Sequence, residues 1–387
     1  MTASAPVKTP LSGKIYNVQA LRGIAAMLVV FAHLRFYESV FGGDKILSPV
    51  LKMGTSGVDL FFVISGFIMV YVTRNRADTK RFRQIPKFLF ARITRIYPVY
   101  WVLTGIYVFV YFNIPGILWD SEVLPKMNFL TSFTLLPNMI HAPIVSVGWT
   151  LVFEMQFYIV FAFILLFKRK YLVPLLILWA LLLAIAPSTG FQAYIVSIHS
   201  TAPIRGLAHF ERLITHPYSW EFIGGALIGH YFQHIRLSKL IAACILIVGI
   251  SLAVYIAFSP GKIPEDLGFF RNGSSRVLVI GAISLIILYG SLALEMAGVI
   301  FPKFLQTLGD WSYSIYLSHI LVIKLITKQL WAPRTIEGPW DNIFVLIVCL
   351  ISVVAVGGIL FHLVERPCLS LANKAREKLF PKPQTID

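Results

Sequence analysis

The sequence predicts an all-α polytopic membrane protein of about ten transmembrane helices, with N- and C-termini cytoplasmic. Three observations predict it. The chain of 387 residues is 57% hydrophobic and 13% charged, against roughly 25% charged residues in an average soluble domain. Apolar runs of spanning length recur throughout, and no long polar stretch leaves room for a soluble domain. The basic residues fall unevenly between the loops.

Ten apolar segments can be drawn, at roughly 17–36, 58–73, 90–112, 147–167, 171–187, 217–232, 239–258, 276–294, 308–327 and 342–364. Some are shorter than a full span, as tilted or re-entrant helices are. Pro, Gly and polar clusters such as FNIPGILWDSE and FSPGKIPEDLG separate them. The first run has no cleavage-site pattern and is long enough to span, so it reads as a retained helix rather than a signal peptide. With the N-terminus inside, 22 of the 34 Lys and Arg residues lie on the inner side and 12 outside. That is the bias of cytoplasmic loops. The domain division is a cytoplasmic tail over 1–16, a transmembrane domain over 17–367 and a cytoplasmic tail over 368–387.

The net charge of +16 fits basic loops that hold the inner side in place. No nucleic-acid motif accompanies it, so no nucleic-acid partner is expected. Cys244, Cys349 and Cys368 form neither a disulfide framework nor a zinc site. No P-loop, GxSxG elbow, HExxH or paired CxxC pattern occurs, which argues against several common enzyme classes.

Ionisable residues in spanning helices are costly and mark function by default. Arg22 and His33 stand eleven residues apart in the first segment, close to three turns, on one face about 16 Å apart. The orientation puts Arg22, Arg92 and Arg95 at the cytosolic end and His33 and Asp59 near the outer end. Glu154, in SVGWTLVFEMQFYIVF, falls about 12 Å deep from outside.

His33 has the chemistry of a general base, because imidazole titrates near neutrality. Its bland alternative is an interfacial side chain capping a neighbouring helix. Arg92 and Arg95, at i and i+3, suit a phosphorylated ligand, or serve as positive-inside anchors. Lys80, Arg81 and Arg83 read as anchors. Glu154 needs a cavity or a cation; it could fix the His33 tautomer, bind sugar hydroxyls or join helices as a hydrogen-bond node. Asp59 could act beside it or simply cap the second segment. Gly57 and Gly66 would let helices approach closely.

The ninth segment opens LGDWSYSIYLSHI. Asp310 is placed to cap it, while Ser312, Tyr313, Ser314, Tyr316 and His319 put polar groups at helical spacing for ligand contact or interhelical bonding. Glu365 and Arg366 read as an ion pair or terminal cap. His199, His209 and His216, in the external stretch IHSTAPIRGLAHFERLITHP, match no compact metal motif, so no metal is expected. The stretch could contact a carbohydrate.

Taken in order, QALRGIAAMLVVFAH, GVDLFFVISGF, FARITRIYP, WTLVFEMQFY, LGDWSYSIYLSH and ERP resemble the acyltransferase-3 family of integral membrane acyltransferases. The opening motif is most similar to members that acetylate exopolysaccharides. The match runs from about residue 17 to 367, and the absence of a hydrolase-like domain after the last segment resembles the stand-alone form.

The resemblance implies transfer of an acyl group, usually acetyl, from cytosolic acyl-CoA to a hydroxyl of an extracytoplasmic carbohydrate at a bacterial plasma (inner) membrane. Acetyl-CoA would be a co-substrate, and no metal is called for. It also implies that His33 is the essential base and Arg22 its paired cation, with Arg92 and Arg95 on the acyl-CoA. Glu154 or Asp59 would orient the imidazole or acceptor. Tyr313, Ser314, Tyr316 and His319 would support the acceptor or oxyanion. An acyl-histidine intermediate stays open beside direct transfer.

Small-residue helix faces serve packing and dimerisation alike, so a homodimer also stays open. The competing reading is a transporter or flippase of a lipid-linked sugar with His and Glu as a proton relay; the chain shows no internal repeat of the kind transporters often carry. The topology is tested with reporters: one fused after residue 80 is expected in the cytosol and one after residue 265 outside.

Overall fold

The computed structural model describes residues 13–42, 46–75, 81–114, 129–135, 143–185, 216–259, 276–330 and 339–381. Among them every regular element is helical. The helices are α1 (Tyr16–Phe41), α2 (Gly57–Thr73), α3 (Arg81–Asn113), a short α4 (Phe129–Thr134), α5 (Trp149–Ile164), α6 (Leu172–Ile185), α7 (Tyr218–Tyr231), α8 (Lys239–Ala257), α9 (Ala282–Met296), α10 (Lys303–Leu330), α11 (Pro339–Leu360) and α12 (Arg366–Leu379). Each of the ten apolar segments folds as one helix, and α4 and α12 are additional.

Seven spans among the described residues are long and apolar enough to cross a membrane. Their surface is inverted relative to a soluble protein: Leu240, Ile247 and Tyr255 of α8 and Phe109 and Phe112 of α3 face outward. In water such a surface would aggregate; in lipid it costs nothing. α6 and α7 have 14 residues each, about 21 Å, less than the roughly 30 Å hydrocarbon core.

Lipid supplies no hydrophobic drive between helices, so close backbone packing must hold them together. Two helix pairs show it. α1 runs along α10, and α2 along α7. At the first crossing a Cβ on Gly23 would stand 2.7 Å from the Leu305 carbonyl oxygen, and one on Gly309 would collide with the Gln19 carbonyl. At the second, Gly66 lies against the Phe222 carbonyl and Gly225 against that of Val63. The expected close approach at Gly66 is therefore met.

Polar clasps fix the ends of α1. Glu295 accepts from the backbone N–H groups of Tyr16 and Asn17, both at 2.8 Å, which places a carboxylate at the positive helix end. The Asn17 side chain donates to Ser291 O at 2.9 Å and Val299 O at 3.0 Å and accepts from Phe301 N at 2.8 Å. At the other end buried Glu38 accepts from Ile46 N and Leu47 N.

The segment expected to be a C-terminal tail is helical over much of its length. Residues from 366 continue as α12, which packs on α3, with Phe90 and Phe380 in ring contact at 6.2 Å. Asp310 does not cap its helix either, because α10 begins two turns earlier, at Lys303. It binds Lys14 Nζ at 2.6 Å and Gln19 Nε2 at 3.1 Å instead.

Gly309→Val should overpack the α1–α10 crossing. The expected cost is roughly 1–3 kcal/mol, read as a lower melting temperature in detergent, with Gly66→Val behaving alike at the α2–α7 crossing.

Candidate functional site

Arg22 lies one residue before Gly23, so the tight crossing sets α1 beside α10 and fixes its polar face. Three turns along, that face carries His33. Its ring meets His319 of α10 edge-on, with centroids 4.9 Å apart. His33 Nδ1 lies 2.9 Å from Val29 O, and His319 Nδ1 lies 2.6 Å from Tyr316 O. Carbonyls only accept, so both Nδ1 atoms carry the proton. Neutral His319 then presents its Nε2 lone pair to His33 Nδ1, at 3.3 Å. This leaves His33 Nε2 as the basic nitrogen.

Below the histidines lies a cavity of about 530 Å³ between α1, α2, α3, α5, α10 and α12, within the usual ligand-site range of about 300–1,000 Å³. Along α2 it extends from Val58 to Met69, about 16 Å of helix axis. Arg22, Arg92, Arg95, Asp310 and Arg376 line it, as do Glu154, Tyr158 and Ser65. At the end nearest the histidines it is bounded by Phe61, Thr150 and Tyr316. Tyr316 and Thr150 share a hydrogen bond at 3.1 Å, and Phe61 stacks edge-on against Tyr316. His319 is three residues beyond Tyr316, nearly one turn, with ring centroids 5.7 Å apart.

The arginines around this cavity differ in their pairing. Arg95 bonds Glu365, which also accepts from Ser314 Oγ at 2.6 Å. Arg22 bonds only Gln19, at 3.0 Å, and the Arg92 guanidinium sits over the rings of Phe88 and Tyr158. Among the described residues no carboxylate forms an ion pair with Arg22, Arg92 or Arg376. Unpaired cations gathered around one cavity give it a positive potential.

The predicted residues thus divide. Arg22, Arg92, Arg95, Glu154, Tyr313 and Tyr316 line one cavity, and His33 and His319 form a pair beyond its end. Glu154 accepts from Tyr158 and from Ser65 at 3.4 Å; no hydrogen bond joins it to His33 among the described residues. The His33 ring meets Val29 O and His319 instead. Ser314 is withdrawn from the cavity to Glu365. The expected Glu365–Arg366 pair is replaced by Glu365–Arg95, because α10 and α3 bring the guanidinium to the buried carboxylate. Tyr313 donates to Ile96 O at 2.7 Å.

Asp59 needs the plainest correction. It does not reach His33 or the cavity. It is fully buried and paired with Arg276, whose Nε donates at 2.9 Å and whose Nη2 bonds the second carboxylate oxygen. Glu221 of α7 is buried nearby, and neither of its oxygens meets a nitrogen or hydroxyl donor among the described residues. Its side chain lies against Gly281, where a Cβ would come within 2.9 Å of Glu221 Cγ. Gly281 ends a π-helical turn, Val277–Gly281, and Glu365 ends another, Phe361–Glu365. Each wide turn adjoins a buried ion pair.

Lys80, His199 and His209 lie outside the described residues. His216 is buried against Phe153, with ring centroids 4.5 Å apart, and accepts from Tyr218 N at 3.2 Å. Burial pushes its pKa down to about 3, so it is neutral.

Several residues were missed. Glu221 carried the signal that singled out Glu154, an acid inside an apolar run. Arg376 stood at helical spacing from Leu369, Ala372 and Asn373. Gln19, Thr150 and Tyr158 had no distinguishing local signal.

The six motifs converge on this cavity, on the histidines beyond it and on the Arg95–Glu365 pair. The chain belongs to the acyltransferase-3 family: residues 15–362 match its acyltransferase domain. It is an integral membrane acyltransferase. Among curated relatives it is similar to the exopolysaccharide production protein ExoZ of Rhizobium meliloti strain 1021, with 30% identity over 84% of this chain and 92% of the relative. It is 24% identical to the acyltransferase MdmB of Streptomyces mycarofaciens, over 94% of both chains. It is 23% identical to the peptidoglycan O-acetyltransferase OatA of Listeria monocytogenes, over 91% of this chain and 55% of that protein. The chain therefore spans about half the length of the Listeria relative. No solved structure shows a significant match.

Arg276→Ala should strand Asp59 and Glu221 without their cation. Breaking a buried pair costs about 3–5 kcal/mol, read as a fall in melting temperature that adding Asp59→Asn partly restores.

Proposed function

We propose that the chain is an O-acyltransferase that takes an acyl group, acetyl in its simplest form, from cytosolic acyl-CoA. The acceptor is a hydroxyl of an extracytoplasmic carbohydrate, and the membrane is a bacterial plasma membrane. One observation carries the reading: a cavity with unpaired arginines ends at Tyr316, about one turn from His319, whose ring in turn meets His33, the histidine with its Nε2 left to accept a proton. The named activities of the exopolysaccharide and peptidoglycan relatives support the carbohydrate acceptor.

The donor's phosphates are anionic and fit Arg22 and Arg92, with Arg95 held beside them by Glu365. The thioester arm extends along α2 towards Phe61, Thr150 and Tyr316. His33 Nε2 takes the proton of the acceptor hydroxyl as the oxygen attacks the thioester carbonyl carbon. The tetrahedral intermediate collapses, the C–S bond breaks, and the CoA thiolate leaves. The thiolate recovers the proton from the imidazolium, giving an ester, free CoA and the neutral base. The Tyr316 hydroxyl, released from Thr150, suits the developing oxyanion. His319 keeps the His33 tautomer fixed through Nδ1.

Purified protein with acetyl-CoA and a carbohydrate acceptor tests the reaction. His33→Ala should lose at least about 100-fold in transfer while CoA still binds; full residual transfer would sink the mechanism. Arg92→Ala with Arg95→Ala should weaken CoA binding about tenfold or more, most visibly at low ionic strength. Unchanged affinity would return both arginines to topology anchors.

A further inference from the structure

We infer that α12 is a wall of the donor site and that Arg376 binds one of the donor's phosphate groups. The inference rests on the acyl-CoA reading above. It concerns a residue beyond the last apolar segment drawn from the sequence, on a helix expected to be part of a cytoplasmic tail.

The placement is specific. Leu369, Ala372, Asn373 and Arg376 all line the cavity. They stand at i, i+3, i+4 and i+7, so a single face of α12 makes the wall. Lys374 and Lys378, on other faces, are exposed. The helix is held in place by α3, the helix that also carries Arg92 and Arg95, and by the contact of Phe380 with Phe90.

Charge points to the ligand. Arg376 has no ion-pair partner among the described residues, and it shares the cavity with Arg22 and Arg92, which have none either. The nearby carboxylates are engaged: Asp310 with Lys14, Glu365 with Arg95, and Glu154 with Tyr158 and Ser65. Three like charges around one partly desolvated space repel one another strongly. A ligand bearing several negative groups removes that repulsion, and a planar guanidinium matches a phosphate with two parallel donors. A nucleotide thioester with phosphates on separate positions has the required chemistry; an uncharged sugar or a fatty chain does not.

The test titrates CoA and pantetheine, which lacks every phosphate, into the full-length protein in detergent, beside thermal melts of each variant. Arg376→Ala should weaken CoA about tenfold and leave pantetheine unchanged. Equal weakening of both ligands, or CoA affinity within about twofold of the unaltered protein, would overturn the inference. If Arg376→Ala does not fold, Arg376→Lys is read instead: it keeps the charge but not the paired donors. Severalfold weakening of CoA alone then supports the inference, and no weakening overturns it. The two readings fail separately. If Arg92→Ala with Arg95→Ala weakens CoA and the Arg376 variants do not, only the role of α12 falls. If the unaltered protein binds no CoA, the donor reading falls first.

Discussion

The bundle depends on backbone approaching backbone where glycine removes the side chain between. Gly23 and Gly309 bring α1 and α10 together, and Gly66 and Gly225 do the same for α2 and α7. In lipid, dispersion and the absence of steric bulk must do what water exclusion does elsewhere. The α1–α10 crossing also has a chemical result. It sets Gln19 against Asp310 and, about four turns further along α1, His33 against His319. A modest rotation of either helix would part the histidines, since their closest nitrogens are already 3.3 Å apart.

Within this frame the polar groups are of two kinds. Asp59 with Arg276, Glu365 with Arg95, and Glu295 with the start of α1 are satisfied locally and join helices distant in sequence. A buried pair of this sort specifies an arrangement more than it stabilises it. Among the described residues Arg22, Arg92 and Arg376 have no counter-ion, and they line the cavity. The contrast separates cations that join helices from cations that face the cavity.

Much of the fold was legible because spanning helices announce themselves by length and hydropathy. All ten segments became helices, although α6 and α7 are short enough that composition alone would not have secured them. The site was legible where a charged residue stood in an apolar run: Arg22, His33, Arg92 and Glu154 all stood out. What the sequence could not supply was pairing. Asp59 and Glu154 look alike as acids in apolar helices, yet one is locked to Arg276 and the other faces the cavity. Arg276 opens its segment, and its partnership with a residue 217 positions away had no local sign. Arg376 was hidden differently, because a polar amphipathic helix after the last span resembles a tail until its neighbours are known.

The clasps on α1 bear on the order in which the chain is made. α1 leaves the ribosome before the other described helices. The groups that hold it, the Ser291 carbonyl and the Glu295, Asp310 and His319 side chains among them, lie 274 to 296 residues later. At about 5–20 residues per second that gap lasts roughly 15–60 s. Through that interval Asn17 and His33 sit in the bilayer or at its surface without their partners on later helices. α1 must therefore persist in lipid on its apolar residues alone. The candidate site is not built outward from α1; it closes around that helix once the later helices are made.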